Sequence, residues 1–338
     1  MYDIDLNRYT EVVDSAIALR PQIEKAVDEI CAQGYSNLFF IGCGGTYAHS
    51  LPMMYWLEST TNKVEAHAVI AAEFMVMGHK AFSKDSVCIF STRSGNTKEI
   101  VAAAKFCKEA GARTMVYVSN DNTPVCEYAD YKFYSPAEDP DLCEAIYSYT
   151  ICLLGRFMKN AGAFDKYDEF MAQYAGLTKY LIAGKEKFDP FCQELAKKFK
   201  DVDYHMVIGG GMLWGEAYDY AMCILEEMQW IRTKSIHVCE YFHGTLELLE
   251  DDVCTTLLLT EGPTRAQDER VKEFAARHTK KLTCFDTKEY ALPGISDEFR
   301  PLLSPVVMAA VLQRISKNIE VITDHSLDIR RYYRKESY

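Results

Sequence analysis

The sequence predicts an α/β protein: two tandem, doubly wound parallel-sheet domains, led by an N-terminal helical arm and closed by a C-terminal tail. Short, fully apolar runs bounded by glycine turns read as strands buried on both faces, as a parallel sheet requires. These runs alternate with segments of helical periodicity, the order that winds such a sheet. The pattern then recurs. Gly209 in HMVIGGGMLWGEA lies 167 positions after Gly42 in LFFIGCGGTYAHS, and three further segments follow in the same order near that spacing. Four ordered matches read as a tandem repeat. The chain therefore divides into an arm (1–33), a first domain (34–165), a helical connection (166–200), a second domain (201–320) and a tail (321–338).

Taken in order, residues 8–33 show helical periodicity that ends at Gly34. Asn37–Gly42 (NLFFIG) is the first strand, leading through a glycine turn into a helix that runs to about Glu58. A strand near Val64–Val69, a helix from Ala71 and a strand at Ser86–Thr92 come next. The polar turn Arg93–Thr97 opens a helix over Lys98–Ala110, and Met115–Ser119 is the next strand. Residues 139–200 read as helical, with breaks near Gly162 and at Asp189-Pro190, since proline lacks an N–H and restricts its predecessor. In the repeat, Val253–Leu259 matches Ser86–Thr92, TEGPT matches RSGNT in kind, and Lys281–Thr287 matches Met115–Ser119. Leu302–Ile319 is a long helix, and the tail DHSLDIRRYYRKESY is basic and aromatic.

With 338 residues, 49% of them hydrophobic and 25% charged, the chain has the composition of a globular protein with sizeable cores. Its net charge of −12 argues against a nucleic-acid or anionic-membrane partner, either of which favours a basic face. A small phosphorylated substrate stays open, because backbone amides and hydroxyls bind phosphate locally. The N-terminus carries acidic residues where a signal peptide has a basic region. Pro305–Leu312, among the longest apolar runs, falls short of membrane-spanning length. The twelve cysteines are scattered singly, and Cys88, Cys223 and Cys284 read as buried free thiols. A cytoplasmic location is the expectation.

Two stretches carry chemistry. In Thr92-Arg93-Ser94-Gly95-Asn96-Thr97, hydroxyls at 92, 94 and 97 converge on a helix N-terminus, where free N–H groups favour an anion. The turn lies at the C-terminal edge of a parallel sheet, where ligands bind. Simple N-capping by Ser94 or Asn96 is the alternative. No GxxxxGK[ST] occurs, and CGG lacks dinucleotide-fingerprint spacing. The second stretch, Ala221–Glu250, begins as an amphipathic helix and ends in a Gly-broken loop. It holds Glu227 and His243, a carboxylate and an imidazole suited to proton transfer but too far apart to meet along one helix. On a regular helix, Ala217, Ala221, Ile224, Leu225 and Met228 form an apolar stripe. Glu227 lies on its margin and Glu226 near the opposite face, in solvent. His243 alone could equally be a packed loop histidine, with Glu240 either orienting it or standing as a surface acid. No second histidine or carboxylate stands at ligand spacing, so no metal site is expected. His325 is open between a solvated and an active-site position.

Strand–GCGGTY followed by strand–STRSGNT, repeated in tandem, resembles the double sugar isomerase (SIS) domain proteins that bind phosphosugars. Glu227 and the His-Gly of EYFHGTLE are similar to the Glu and His-Gly pair in the isomerase half of glucosamine-6-phosphate synthase. The length and the closing D-x-x-x-D-x-R-R-Y-Y run (Asp324, Asp328, Arg330–Tyr333) look most like the bacterial Amadori deglycases acting on fructoselysine 6-phosphate or glucoselysine 6-phosphate. The resemblance implies a phosphate cradle of Thr92, Ser94 and Thr97 with Thr46 nearby. It further implies Glu227 as the base on the sugar carbons and His243 as the acid/base of ring opening. Lys335 matches a lysine in the synthase tail. Two departures stand out. Arg93 replaces a usually uncharged residue, either reading a charged part of the substrate or pairing with a surface carboxylate. Thr245 stands where His-Gly-Pro is common.

The resemblance thus implies a cofactor-independent deglycase that cleaves a ketoamine 6-phosphate to glucose 6-phosphate and a free amine. An amino-sugar or aldose–ketose phosphate isomerase/deaminase needs the same two residues. A non-catalytic phosphosugar sensor is the third reading, weighed against by the presence of both Glu227 and His243. In related enzymes the histidine comes from a neighbouring subunit, so the resemblance also implies a homodimer with active sites at the subunit interface.

Overall fold

The computed structural model describes residues 4–137 and 143–336. The first residues of the expected arm, the start of the helical stretch at 139–142 and the last two tail residues lie outside the described residues. Two compact units emerge, one of Leu6–Thr178 and one built on Lys179–Tyr338.

In the first unit, the helical arm consists of α1 (Leu6–Ile17) and α2 (Arg20–Gln33), with Pro21 in the first turn of α2. Proline fits there because its missing N–H has no helical partner to lose. The strands are β1 (Leu38–Gly42), β2 (Ala66–Ile70), β3 (Val87–Thr92), β4 (Arg113–Val118) and β5 (Tyr131–Tyr134). Between them run α3 (Gly45–Ala48), α4 (Leu51–Thr60), α5 (Ala71–Met77) and α6 (Lys98–Glu109), and the unit closes with α7 (Cys143–Asn160) and α8 (Tyr167–Tyr174). The sheet is parallel, in the order β2-β1-β3-β4-β5. Every residue of β1 and β3 is buried, as expected of central strands covered on both faces. Both arm helices lie against α7, and Asp28 of α2 clamps Arg156 of α7 through two bonds of 2.8 and 2.6 Å.

The second unit holds most of α9 (Leu177–Phe199), then β6 (His205–Gly209), α10 (Trp214–Asp219), β7 (Thr233–His237), β8 (Cys254–Leu259), α11 (Arg265–His278), β9 (Leu282–Asp286) and α12 (Arg300–Thr323). Its parallel sheet runs β7-β6-β8-β9, the same winding as β2-β1-β3-β4. A shared glycine explains part of the repeat. A Cβ on Gly42 would stand 2.5 Å from the Tyr47 nitrogen, and one on Gly209 2.6 Å from the Leu213 carbonyl oxygen. Only glycine lets each strand pass so close to its following helix.

Three expectations need correction. Helix α9 continues through Asp189-Pro190 instead of breaking there. Pro190 and Glu186, whose carbonyl loses its partner, are both exposed, so water can satisfy that carbonyl. Asp189 is buried and takes Arg314 Nε at 2.8 Å and Asn318 Nδ2 at 3.2 Å, which anchors the helix where the proline weakens it. Cys284 is partly exposed, whereas Cys88 and Cys223 are buried. Strands β5 and β7 were not anticipated; both are edge strands whose mixed burial gives no continuous apolar run. Among the described residues, no helix is long and apolar enough to cross a membrane.

Candidate active site

The order of the first sheet places a topological switch point between β1 and β3, whose chains leave in opposite directions. The two polar turns meet the sheet at this crevice. After β1, Thr46 Oγ1 accepts the Cys43 N–H at 3.1 Å and lies 3.0 Å from the Cys43 carbonyl, so its hydroxyl braces its own turn. After β3, buried Thr92 accepts the Gly95 N–H at 3.2 Å through Oγ1, which leaves its hydroxyl hydrogen available. Gly95 has φ +61°, and a Cβ there would lie 2.1 Å from Thr123 Oγ1. Its carbonyl accepts the Val125 N–H at 3.1 Å, and that of Arg93 accepts the Ser119 N–H at 3.3 Å. The turn is thus locked from outside by the segment after β4.

Thr97 is the N-cap of α6, with extended backbone, and its hydroxyl does not cap the helix. The first-turn N–H groups are left as donors, as anion sites at helix starts require. Arg93, Ser94 and Thr97 are half-buried around them. Burial, with the nearby Glu99 carboxylate second, pushes the Cys43 thiol up to about 11. Cys43 is therefore neutral near pH 7 and adds no negative charge to the crevice.

The corresponding turn of the second unit, Thr260–Thr264, keeps the backbone device but carries a carboxylate. Gly262 N–H bonds Thr260 Oγ1 at 3.0 Å, as Gly95 bonds Thr92. Glu261, however, puts a carboxylate in the turn, where Arg300 binds it through bonds of 2.8 and 3.0 Å. The repeat has one hydroxyl-lined turn and one closed by its own ion pair.

Glu227 and His243 belong to the second unit. After α10 the helix widens: Glu227 N–H bonds the Met222 carbonyl at 3.1 Å and Gln229 N–H the Ile224 carbonyl at 3.2 Å, five residues back. Such π-turns are frequent at functional sites. The expected regular helix is therefore corrected, yet Ala217, Ala221, Leu225 and Met228 are buried and Ile224 partly so. Glu227 is half-buried, and its Oε1 accepts Arg330 Nε of the tail at 2.8 Å. Glu226 is exposed, and its carboxylate accepts the Thr233 hydroxyl at 2.7 Å.

His243 is exposed, in the loop beyond β7. Its backbone N–H bonds the Glu240 carbonyl at 3.0 Å, and Glu240 is itself exposed. The loop is braced around it by fully buried Tyr241 and by Phe242, whose ring carries the Arg270 guanidinium at 4.1 Å. Thr245, in place of a proline, is buried and accepts Lys234 Nζ at 3.0 Å. Gly244 has φ +134°, a conformation closed to other residues. The elements carrying Glu227 and His243 join opposite ends of β7, five residues and about 13 Å long.

Two nearby histidines have structural roles. His237 Nδ1 accepts the Cys239 N–H at 3.3 Å, and burial lowers its affinity for a proton. His325, left open by the sequence, donates from Nε2 to the Met228 carbonyl at 3.0 Å. Its ring stands edge-on to Trp230 at 4.4 Å. Lys335 is exposed near the chain end, with its backbone N–H on the Tyr332 carbonyl at 2.8 Å. Sequence reasoning missed the role of Arg330, for which the sole signal is a pair of consecutive arginines in a basic tail.

Residues 34–154 match the SIS domain family. The fructosamine deglycase FrlB of Bacillus subtilis is 28% identical over 322 residues, covering 94% of this chain and 97% of that one. The fructoselysine 6-phosphate deglycase of Escherichia coli strain K12 is 22% identical over 317 residues, covering 93% and 90%. A Bacillus subtilis crystal structure, named as a phosphosugar isomerase, superposes with a TM-score of 0.89 at 26% identity, over 96% of this chain and 99% of that one. The chain thus carries a SIS-domain match over residues 34–154 and is similar to bacterial deglycases of fructosamine and fructoselysine 6-phosphate over more than nine-tenths of its length.

Proposed function

We propose that this chain, an enzyme of the SIS-domain class, cleaves a ketoamine 6-phosphate such as fructoselysine 6-phosphate to glucose 6-phosphate and a free amine. The observation that carries this reading is the placement of Glu227: half-buried at the end of a π-turn and oriented by a tail arginine, in a chain that resembles deglycases throughout. Thr92, Ser94 and Thr97, with the N–H groups of α6, hold the phosphate, while Thr46 braces the facing turn. Arg93 and Lys335 complete the proposed set of substrate-binding residues.

His243 assists ring opening. Glu227 then takes the C1 proton of the open ketoamine, giving an enaminol, and a proton returned to C2 leaves an imine at C1. Water adds to C1, the C–N bond breaks, and amine and aldose 6-phosphate depart. One water is consumed and no net oxidation occurs. The substrate's own nitrogen and carbonyl stabilise the enaminol, so the sequence of steps calls for no metal or organic cofactor.

The resemblance supports a homodimer in which His243 of one protomer serves the partner's site. We further place the enzyme in the cytoplasm, with 34–165 and 201–320 as its two SIS domains.

Incubation with a panel of ketoamine 6-phosphates, followed by enzymatic detection of glucose 6-phosphate, tests the reading. Release of sugar phosphate and amine in equal amounts is expected. Conversion of fructose 6-phosphate or glucosamine 6-phosphate, without amine release from any ketoamine, would reassign the chain to the isomerase/deaminase reading. Binding of hexose 6-phosphate with no turnover of any of these would make it a sensor.

A further inference from the structure

We infer that Arg330 is a positioning residue for Glu227, and that through it the C-terminal tail holds the base in its working orientation. This rests on the reading of Glu227 as the proton-abstracting group. The Nε–Oε1 bond of 2.8 Å is charge-assisted and uses one carboxylate oxygen, leaving Oε2 for the proton transfer. The Arg330 side chain is 13% exposed, against 33% for Glu227, so the pair is shielded on the arginine side and open on the carboxylate side.

The guanidinium is itself anchored. Its Nη1 donates to the carbonyls of Leu327 and Ile329. Leu327 is buried, and its N–H bonds Glu320 Oε1 on α12 at 2.8 Å. The same tail segment grips the residues just past Glu227. His325 holds the Met228 carbonyl, and the Trp230 indole is contacted both by the His325 ring and by the Arg331 guanidinium, which is 4.0 Å from the indole centroid. Trp230 has φ +60°, an unusual conformation for a bulky residue, and these contacts hold it there. Consecutive arginines thus divide the work, Arg330 on the carboxylate and Arg331 on the indole.

A surface ion pair with no bearing on chemistry contributes little to anything measurable. A positioning contact has a different signature, since a misaligned base slows the chemical step without weakening phosphate binding. Arg330→Ala and Arg330→Lys are to be assayed with fructoselysine 6-phosphate beside Glu227→Gln. Hydrogen exchange over residues 325–336 is to be followed in Arg330→Ala, Glu227→Ala and the double variant. For Arg330→Ala, kcat should fall at least about 30-fold, with KM within about threefold, and Arg330→Lys should recover part of the loss. Exchange should rise equally in both single variants and no further in the double one.

Retention of kcat within about threefold in Arg330→Ala, or additive exchange effects, overturns the inference. If Glu227→Gln is inert while Arg330→Ala is active, only the positioning role fails. If Glu227→Gln turns over normally, the base assignment fails first. Should fructoselysine 6-phosphate not be a substrate, the exchange experiment still decides whether tail and carboxylate act as one unit.

Discussion

The carboxylate of Glu226 accepts both the hydroxyl and the backbone N–H of Thr233, at 2.7 and 3.3 Å, and so ties the end of the π-turn to the first residue of β7. Its neighbour Glu227 points to the tail instead. One glutamate closes a strand start; the other is the proposed base. Glu227→Gln keeps the shape and loses the base. Turnover should fall at least about a thousandfold while hexose 6-phosphate binding, measured by calorimetry, stays within about threefold. Glu226→Gln should keep turnover within about threefold and lower stability by no more than about 1 kcal/mol. Equal loss in both variants would remove the distinction.

The turn proposed to hold phosphate depends on a glycine that has no room to change. Gly95→Ala meets a positive φ and a Thr123 hydroxyl 2.1 Å away, and should cost about 2–4 kcal/mol of stability in denaturant melts. Adding Thr123→Ala should return the packing share and not the backbone share. Full recovery would mean that φ at position 95 carries no strain. Ser94→Ala, which removes a hydroxyl from the turn, should raise KM about tenfold with kcat little changed.

If His243 serves the partner's site, Glu227→Gln and His243→Ala are complementary. Each homodimer should be inactive. Mixed and refolded together, they should regain up to about a quarter of wild-type activity per chain, because half the molecules are heterodimers with one intact site. Activity at the background level in the mixture would place both groups in one subunit.

Asp268 supplies a pH dependence with a definite sign. Burial raises its carboxyl to about 7; Oδ2 accepts the Thr260 N–H at 3.0 Å, while Oδ1 has no partner among the described residues. The folded chain binds this proton more tightly than the unfolded chain, so its contribution to stability falls as pH rises from about 4 to 7. Asp268→Asn keeps the acceptor and removes the titration. The variant should gain on wild type by roughly 1–2 kcal/mol between pH 5 and pH 8, read from paired denaturant melts. A stability difference that does not change with pH contradicts the assignment.

Local chemistry alone made part of this protein legible in its residues. Continuous apolar runs such as Leu38–Gly42 and Cys254–Leu259 are strands buried on both faces, and their residue types say so without further context. The glycines at 42, 95 and 209 mark close approaches, and the hydroxyls around Gly95 mark a turn with donors to offer. The margin position of Glu227 was readable too, although the helix that carries it is wider than a 3.6-residue repeat. Edge strands β5 and β7 were hidden because half-exposed strands need no apolar run. Long-range contacts supplied what remained. Pro190 sits inside a helix because Asp189 is held by Arg314 and Asn318, more than a hundred residues away. Glu261 disables the second turn because Arg300 folds onto it, and Glu227 is oriented by Arg330, 103 positions along the chain. An ion pair depends on which charges the fold brings within reach, and no local pattern around either partner records that.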